Sequence, residues 1–299
     1  RAMTKYREAL RIAKDIGWKS GEGETRGYVA AVMARQGRYS AALDSQNEAL
    51  AIFDELGDKN GMAISLAGRS KIECLLGQCV AASETVRRAL ELAREIGNEE
   101  LIADALLAKG MLGNLTEGES AVEDLEQALA HSESSGGRIT HLQVATELGR
   151  ARLLAGRAEE SLEILGQTSE EAHGLGLETI GADADLYRAR SCLQIGDRAG
   201  ALRFGESAVK EAESMSEREL SMRCRCLLAR AAINADESAE HARRCLREAA
   251  ALARELAGSA ESFASRPDIA ADIQASAQIL RSAGREDELA GFPELGLTD

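Results

Sequence analysis

The stretches ALRIAKDIG (residues 9–17), ALAIFDELG (49–57) and ALELAREIG (89–97) recur along the chain at a fixed spacing. Three later stretches keep the same register in a more divergent form, namely ALAHSESSG (128–136), TSEEAHGLG (168–176) and AVKEAESMS (208–216). The last residues of these six stretches follow one another at steps of 40, 40, 39, 40 and 40 residues. A step this constant from residue 17 to residue 216 predicts a structural repeat rather than one irregular domain.

Two further columns of residues keep the same period. Turn glycines recur at Gly37, Gly77, Gly156 and Gly196, with a late one at Gly118 and another at Gly284. Small residues recur at Ala30, Ser70, Gly110, Gly149, Ala189 and Ala229. A glycine inside a helix costs about 1 kcal/mol relative to alanine, so a recurring one needs a packing reason. The small column therefore predicts close helix crossings at regular intervals.

Each repeat is predicted to hold two helices, which we call its first and second helix. The first helix, for example residues 25–36, ends at the turn Gly37-Arg38. The second, residues 39–56, ends at Gly57, where glycine can adopt the left-handed cap. Apolar residues in the second helix follow helical spacing: Ala42, Leu43, Ala49, Leu50 and Phe53. Two short helices cannot bury their apolar faces alone, so neighbouring repeats must stack.

The motif Gly37-Arg38-Tyr39-Ser40-Ala41-Ala42-Leu43, and Leu148-Gly149 followed by Gly156 and Ser161, resembles the tetratricopeptide repeat family. The unit is longer than the usual length of about 34 residues, and glycine stands where that family has a proline. Long repeats of this kind are similar to those of kinesin light chains, mitotic-spindle adaptors and bacterial regulators. The resemblance covers residues 1–256 and implies an all-α, right-handed α-solenoid of about seven helix-turn-helix repeats.

The two ends of the chain depart from the repeat. The chain begins at Arg1, which is not a start methionine, and goes straight into a second helix at about residues 4–16 whose partner helix is missing, so we expect it to be a piece of a longer protein. Near the other end, Ala277 follows Ala229 by 48 residues rather than 40, so the register slips by an insertion. We predict a long helix at residues 237–263 and a seventh first helix at 268–283. Residues 257–299 would form the cap that covers the last apolar face of a solenoid.

Composition excludes several functions. The chain has 50 acidic and 36 basic residues and a formal charge of −14, which argues against nucleic acid as a partner. No apolar run approaches the roughly 18 residues of a membrane span. The six cysteines form no C-x-x-C pair and indicate small buried hydrophobes in a cytoplasmic protein. A metal site at Cys224, Cys226 and Cys245 stays open as an alternative.

Catalytic motifs are missing from the sequence. None of the four histidines belongs to an H-E-x-x-H pair, and neither a phosphate-binding G-x-x-x-x-G-K-[ST] loop nor a G-x-S-x-G elbow occurs. The glycine-rich residues 21–27 have the wrong spacing for a dinucleotide loop, so we interpret them as a linker between helices. Gly174-Leu175-Gly176 is interpreted in the same way. The sequence therefore predicts neither an enzyme nor a bound cofactor.

One set of residues indicates a binding face. The position directly after each small-column residue, which we call the ladder position, is Ala31, Lys71, Met111, Arg150, Arg190 or Arg230. In tetratricopeptide proteins this position lines the concave groove, so the resemblance implies a groove lined by Lys71, Met111, Arg150, Arg190 and Arg230. Arginine binds carboxylates through two parallel hydrogen bonds, which favours an acidic peptide or a peptide C-terminus. The alternative is that these cations pair with acids on adjacent second helices of the chain itself.

Two tyrosines share the helix face of the ladder. Tyr28 and Tyr187 stand three residues before the ladder positions 31 and 190, a spacing that places them on the same side of a helix. A ring there could contact a ligand or pack on a neighbouring helix.

The sequence as a whole predicts a protein-interaction scaffold or a regulatory segment of a larger protein. Its partner would be a peptide or a helix laid in the groove, and the ladder cations favour an acidic one. The alternative is a sensor of a small ligand or a signalling peptide, with an enclosed pocket. Self-association through exposed repeat ends, and filling of the groove by the chain's own acidic tail (residues 292–299), are further alternatives.

Overall fold

The computed structural model describes residues 2–116, 120–232 and 239–257, together with residues 269, 272, 274, 275, 278 and 281. Throughout this part of the chain the secondary structure is α-helical. The helices are α1 (Ala2–Asp15), α2 (Lys19–Arg35), α3 (Tyr39–Leu56), α4 (Lys59–Leu75), α5 (Cys79–Ile96), α6 (Glu99–Thr116), α7 (Ser120–Ser135), α8 (Arg138–Leu154), α9 (Ala158–Gly174), α10 (Glu178–Gln194), α11 (Arg198–Met215), α12 (Arg218–Ala232) and α13 (Ala239–Ala257). The even-numbered helices are the first helices of the repeats, and the predicted all-α, helix-turn-helix solenoid class is confirmed.

Left-handed residues end the helices where the glycine columns predicted them. The turn and closing glycines in the described part of the chain have φ between +65° and +85°. Glycine adopts this left-handed region without steric cost. These residues are Gly17, Gly37, Gly57, Gly77, Gly97, Gly136, Gly156, Gly176 and Gly196. Ser216 takes the same conformation with φ of +60° at the end of α11. The predicted bounds of α3, residues 39 and 56, match the structure. The predictions at Gly118 and Gly284 lie outside the described residues.

The glycine-rich stretch of residues 21–27 is helical, so its interpretation as a linker is wrong. Helix α2 begins at Lys19 rather than at the predicted Thr25. A Cβ atom on Gly21 would lie 2.3 Å from the Trp18 ring, and one on Gly23 would lie 2.8 Å from the Phe53 ring. These glycines are present because two aromatic rings pack against the helix backbone, and not because the chain turns there.

The small column lies at helix crossings, as predicted. Ala30, Ser70, Ala189 and Ala229 have no solvent exposure. A Cβ atom on Gly149 would lie 2.4 Å from the Leu165 side chain, so only glycine fits that crossing. At two of the crossings a serine hydroxyl adds a hydrogen bond, from the first helix to the second in one case and from the second helix to the first in the other. Ser70 donates to the carbonyl of Ala82 at 3.0 Å, and Ser161 donates to the carbonyl of Gly149 at 2.6 Å.

The chain divides into two compact units, residues 1–147 and 148–299, with the boundary inside α8. In the first unit α2 packs on α4, and α4 packs on α6; in the second unit α10 packs on α12. Successive first helices thus contact one another directly within each unit. Each unit buries large apolar side chains of its own, among them Leu66, Leu106 and Leu125 in the first and Leu186, Met222 and Leu246 in the second. The predicted division at residues 256 and 257 stays a prediction.

The C-terminal predictions fall partly on described residues. Helix α13 occupies the middle of the predicted helix at residues 237–263. Within the predicted seventh first helix (268–283), the six described positions from 269 to 281 are all helical. Ile269 is fully buried in the interior of the second unit. The remainder of the predicted cap lies outside the described residues.

The cysteines are core residues, as the sequence indicated. Cys74, Cys192, Cys224, Cys226 and Cys245 are buried, and Cys79 is partly buried. Cys224, Cys226 and Cys245 pack in the same apolar interior as Leu227 and Leu246. Burial strongly raises the pKa of the Cys224 thiol, which therefore stays protonated. Across the described part of the chain, no helix is both long and apolar enough to cross a membrane.

Candidate functional site

In the first unit, the one cationic ladder residue is paired with an acid. Lys71 on α4 donates a short hydrogen bond from Nζ to a carboxylate oxygen of Asp104 on α6. Both side chains are about one-fifth exposed, at 22% and 23%. Met111, the next ladder position, is partly buried on α6. The Lys71 cation is therefore neutralised by the first helix of the following repeat.

The three ladder arginines of the second unit differ in their exposure to solvent. Arg150 is almost buried at 7%, Arg190 is partly buried, and Arg230 is exposed. The guanidinium groups of Arg150 and Arg190 lie 5.7 and 5.5 Å from the centroid of the Tyr187 ring. These distances are within the range of a cation–π interaction, which favours arginine next to an aromatic ring. Tyr187 thus joins two ladder arginines around one buried ring.

A third arginine, Arg223 on α12, completes this group. Its guanidinium lies 5.8 Å from the Tyr187 centroid, and its Nη2 donates to the Tyr187 hydroxyl at 3.2 Å. Arg223 is 7% exposed. We call Arg150, Arg190, Arg223 and Tyr187 the arginine cluster. Sequence reasoning missed Arg223, which stands seven residues before the ladder position Arg230; the residues seven before positions 111 and 190 are Asp104 and Asp183.

An acid from the C-terminal region enters the arginine cluster. Oδ2 of Asp272 accepts a short hydrogen bond from Nη2 of Arg190 and a longer one, at 3.4 Å, from Nε of Arg223. Asp272 is 3% exposed, so this carboxylate is removed from solvent and stabilised by two cations. Asp272 is 82 residues from Arg190 along the chain, and the sequence alone gave no reason to join them.

The sequence left open that the ladder cations pair with acids on adjacent second helices. The described ion pairs of Lys71 and Arg190 join them to acids elsewhere. Instead, Lys71 pairs with an acid on a first helix, and Arg190 pairs with Asp272 in the predicted seventh first helix. The layer of first helices therefore supplies both the cations and the acids that meet at these two positions.

The two tyrosines of the ladder face differ in their surroundings. Tyr187 is buried among arginines, whereas Tyr28 in the first unit is 57% exposed. The Tyr28 ring stacks on the ring of Tyr6 from α1, with centroids 5.6 Å apart. Tyr28 therefore offers an accessible aromatic surface, and Tyr187 organises cations.

A second polar cluster lies on α9, α10 and α11. His173 contacts Glu211 at 2.9 Å through Nε2, while the Asp185 carboxylate accepts hydrogen bonds from Ser169 at 2.7 Å and from Arg188 at 2.9 Å. Potential ligand atoms of His173, Asp185 and Glu211 lie within 4.8 Å of one another, as in a metal site. Because Arg188 already neutralises Asp185, the contacts form a hydrogen-bonded network between helices.

The charge of His173 is set by its neighbours. Partial burial alone lowers the pKa of the imidazole, but the hydrogen bond and charge of Glu211, with the charge of Asp185, outweigh burial and raise it above 6.5. The His173–Glu211 contact is therefore an ion pair at mildly acidic pH.

Paired helices closed by left-handed glycines, with first helices packed on first helices, define a helical-repeat protein of the solenoid class. The sequence model of the tetratricopeptide repeat family matches residues 22–95. Residues 22–95 therefore match tetratricopeptide repeats, and the resemblance drawn from the glycine and small-residue columns is confirmed. No curated protein matches the chain significantly.

Three solved structures illustrate the likeness in fold. A Rap protein complexed with Competence and Sporulation Factor has a TM-score of 0.71 at 12% identity, over 97% of this chain and 82% of that one. NprR in complex with its cognate peptide NprX has a TM-score of 0.64 at 13% identity, over 98% and 88%. The Rap conjugation gene regulator of plasmid pLS20, in complex with the Phr* peptide, has a TM-score of 0.59 at 13% identity, over 94% and 77%. At these identities the similarity concerns the fold.

Proposed function

We propose that this chain is a protein-interaction segment that binds a peptide or a helix on its layer of first helices. The contacts would be made at the ladder residues Lys71, Met111, Arg150, Arg190 and Arg230. The partner segment would carry carboxylates, either as acidic side chains or as a free C-terminus. The segment would act by binding and not by catalysis.

One observation carries this proposal: two ladder positions hold carboxylates. Lys71 binds Asp104, and Arg190 binds Asp272 together with Arg223. The positions are therefore built to receive an acid, and in the described residues the acids come from the chain itself. An acidic partner segment would present the same chemical group to the same face. The formal charge of −14 repels acidic ligands elsewhere, so binding would depend on these local cations.

The test is an array of immobilised peptides of varied charge, probed with the full chain. We expect the bound peptides to be rich in aspartate and glutamate or to end in a free carboxylate. Lys71→Gln and Arg230→Gln should each weaken binding about tenfold, the effect of losing one charge-assisted hydrogen bond of about 1.4 kcal/mol.

A matched control is Arg87→Gln on the second helix α5. This change removes the same charge from an exposed arginine that pairs with Glu84 and Glu91, away from the ladder positions. Peptide binding should be unchanged in the control. Equal binding by the wild type, both ladder variants and the control would contradict the proposed function.

A second candidate function, the sensing of a short signalling peptide, is favoured by the fold comparison. Two of the structures with similar folds contain a peptide by name, the cognate peptide NprX and the Phr* peptide. A free peptide of fewer than about ten residues should then raise the melting temperature with its concentration, because ligand binding stabilises the folded state by mass action. A scaffold would instead need a longer partner segment, and short fragments of it would give no shift.

A further inference from the structure

The register between first helices explains why two arginines meet in the second unit. In the first unit, the ladder cation Lys71 faces Asp104, which stands seven residues before the next ladder position, Met111. Seven residues are close to two helical turns, so both positions lie on one helix face. In the second unit, the same register places Arg223, seven residues before Arg230, opposite Arg190. A base, Arg223, thus stands at the register position that Asp104 occupies on α6.

Two guanidinium groups that face each other, one buried on Arg223 and one partly buried on Arg190, are stabilised by an anion between them. Their mutual repulsion, and the cost of burying unpaired charge, would otherwise destabilise the fold. Asp272 supplies this anion, since one of its oxygens accepts hydrogen bonds from both Arg190 and Arg223. Ile269, three residues earlier and fully buried, anchors the same segment in the interior of the second unit. The acid is therefore delivered in cis by the C-terminal region.

Arg190 retains a donor for another carboxylate. Arg150 places a third guanidinium beside the Tyr187 ring. Asp183 is a further acid near the cluster, since the charges of Asp183, Asp272, Arg190 and Arg223 all act on the buried Cys224 thiol. Moreover, Nε of Arg190 is buried and has no hydrogen-bond partner among the described residues, which leaves one donor of a guanidinium fork unused.

We propose that the arginine cluster is a carboxylate-binding site that Asp272 occupies in cis, and that an acidic peptide binds there by displacing Asp272. The inference rests on the proposed function, because it names the chemistry by which the ligand of that function is recognised. The C-terminal segment acts as an intramolecular competitor, since the carboxylates of Asp272 and of the ligand require the same donors on Arg190 and Arg223. Ligand affinity is then reduced by the fraction of time that Asp272 occupies the site.

The test uses a fluorescein-labelled hexaglutamate peptide, with labelled hexaglutamine as the neutral control, and measures fluorescence anisotropy with the full chain. Asp272→Asn removes the internal carboxylate and should tighten hexaglutamate binding about tenfold relative to the wild type. Asp15→Asn is the matched control, because it changes the net charge equally but removes an exposed acid that pairs with Arg11 on α1, away from the ladder positions. Its affinity should stay at the wild-type value.

Two further variants make the result specific. Adding Arg190→Gln to Asp272→Asn should abolish the gain, because it removes the receiving guanidinium. Ile269→Ala leaves every charge in place but weakens the anchoring of the segment, so it should also tighten binding. This variant tests the proposal independently should Asp272→Asn fail to fold, which circular dichroism reports.

Several outcomes would overturn the proposal: equal hexaglutamate affinity in the wild type and the folded variants, an equal gain in Asp15→Asn, or equal binding of hexaglutamine. Failure here is distinguishable from failure of the proposed function. If array peptides bind in a ladder-dependent way but Asp272→Asn and Ile269→Ala change nothing, only this inference is wrong. If the ladder variants leave peptide binding intact, the proposed function is wrong.

Discussion

The two units place the same kind of ladder cation in different surroundings. In the first unit, Lys71 meets one acid, Asp104, and both side chains remain partly exposed. In the second unit, Arg190 meets Arg223, and both share Asp272 beneath a buried tyrosine. The difference arises at one register position, which is Asp104 in the repeat that follows Lys71 and Arg223 in the repeat that follows Arg190. A specific site in a repeat protein can thus arise where a single column changes its charge.

The largest expected effect comes from removing the acid in each unit. Asp272→Asn should lower the free energy of unfolding of the second unit by about 3 kcal/mol, because it removes a buried carboxylate that accepts hydrogen bonds from two arginines. Asp104→Asn should cost at most about 1 kcal/mol, because Lys71 remains accessible to water. Urea denaturation followed by circular dichroism measures both. Similar losses in the two variants would remove the distinction between the units.

A smaller effect is expected from the small column, which both units share. Gly149→Ala brings a Cβ atom to 2.4 Å from the fully buried Leu165, and Gly110→Ala brings one to 2.3 Å from the fully buried Leu125. Each should destabilise the fold by about 2 kcal/mol, because overpacking outweighs the better helix propensity of alanine.

Gly166→Ala is the control for these substitutions. Gly166 lies inside α9, and an added Cβ atom would have no neighbour within 4 Å. This change should stabilise the chain by up to about 1 kcal/mol. Thermal unfolding of the three variants gives the comparison, and a stable Gly149→Ala protein would show that the crossing does not require glycine.

The smallest expected effect depends on pH. The pKa of His173 is raised in the folded state, so its ion pair with Glu211 stabilises the fold fully below about pH 6.5 and loses this contribution as pH rises through the folded pKa. His173→Gln should therefore reduce stability at pH 5.5, by less than about 1 kcal/mol, and have no effect at pH 9. Melting temperatures at the two pH values test this, and an equal loss at both would show a packing role instead.

The helix boundaries were predictable wherever backbone conformation dictated the residue. Glycines with positive φ, such as Gly57 and Gly97, mark helix ends directly in the sequence because other residues adopt that conformation at a cost. The start of α2 was not predictable in this way. Gly21 and Gly23 have the same letter as a turn glycine, but they accommodate the rings of Trp18 and Phe53, and such contacts appear only in three dimensions.

The candidate site was predictable in part. The ladder column identified Lys71, Arg150 and Arg190 because it keeps the period of the repeat. Arg223 could have been found by reading the column seven residues earlier, where the preceding repeat has Asp183. Asp272 could not, since the insertion after Ala229 shifts the register and the contact joins positions far apart in the sequence.

The central claim is that ladder cations bind a carboxylate which the chain itself supplies at Asp272. Hydrogen–deuterium exchange of the wild-type chain, with and without saturating hexaglutamate peptide, tests it most directly. The account predicts faster exchange in the segment that carries Ile269 and Asp272 when the peptide is bound, with exchange around Arg87 on α5 unchanged. Unchanged or slower exchange in the segment that carries Ile269 and Asp272, under conditions where anisotropy shows the peptide to be bound, would contradict it.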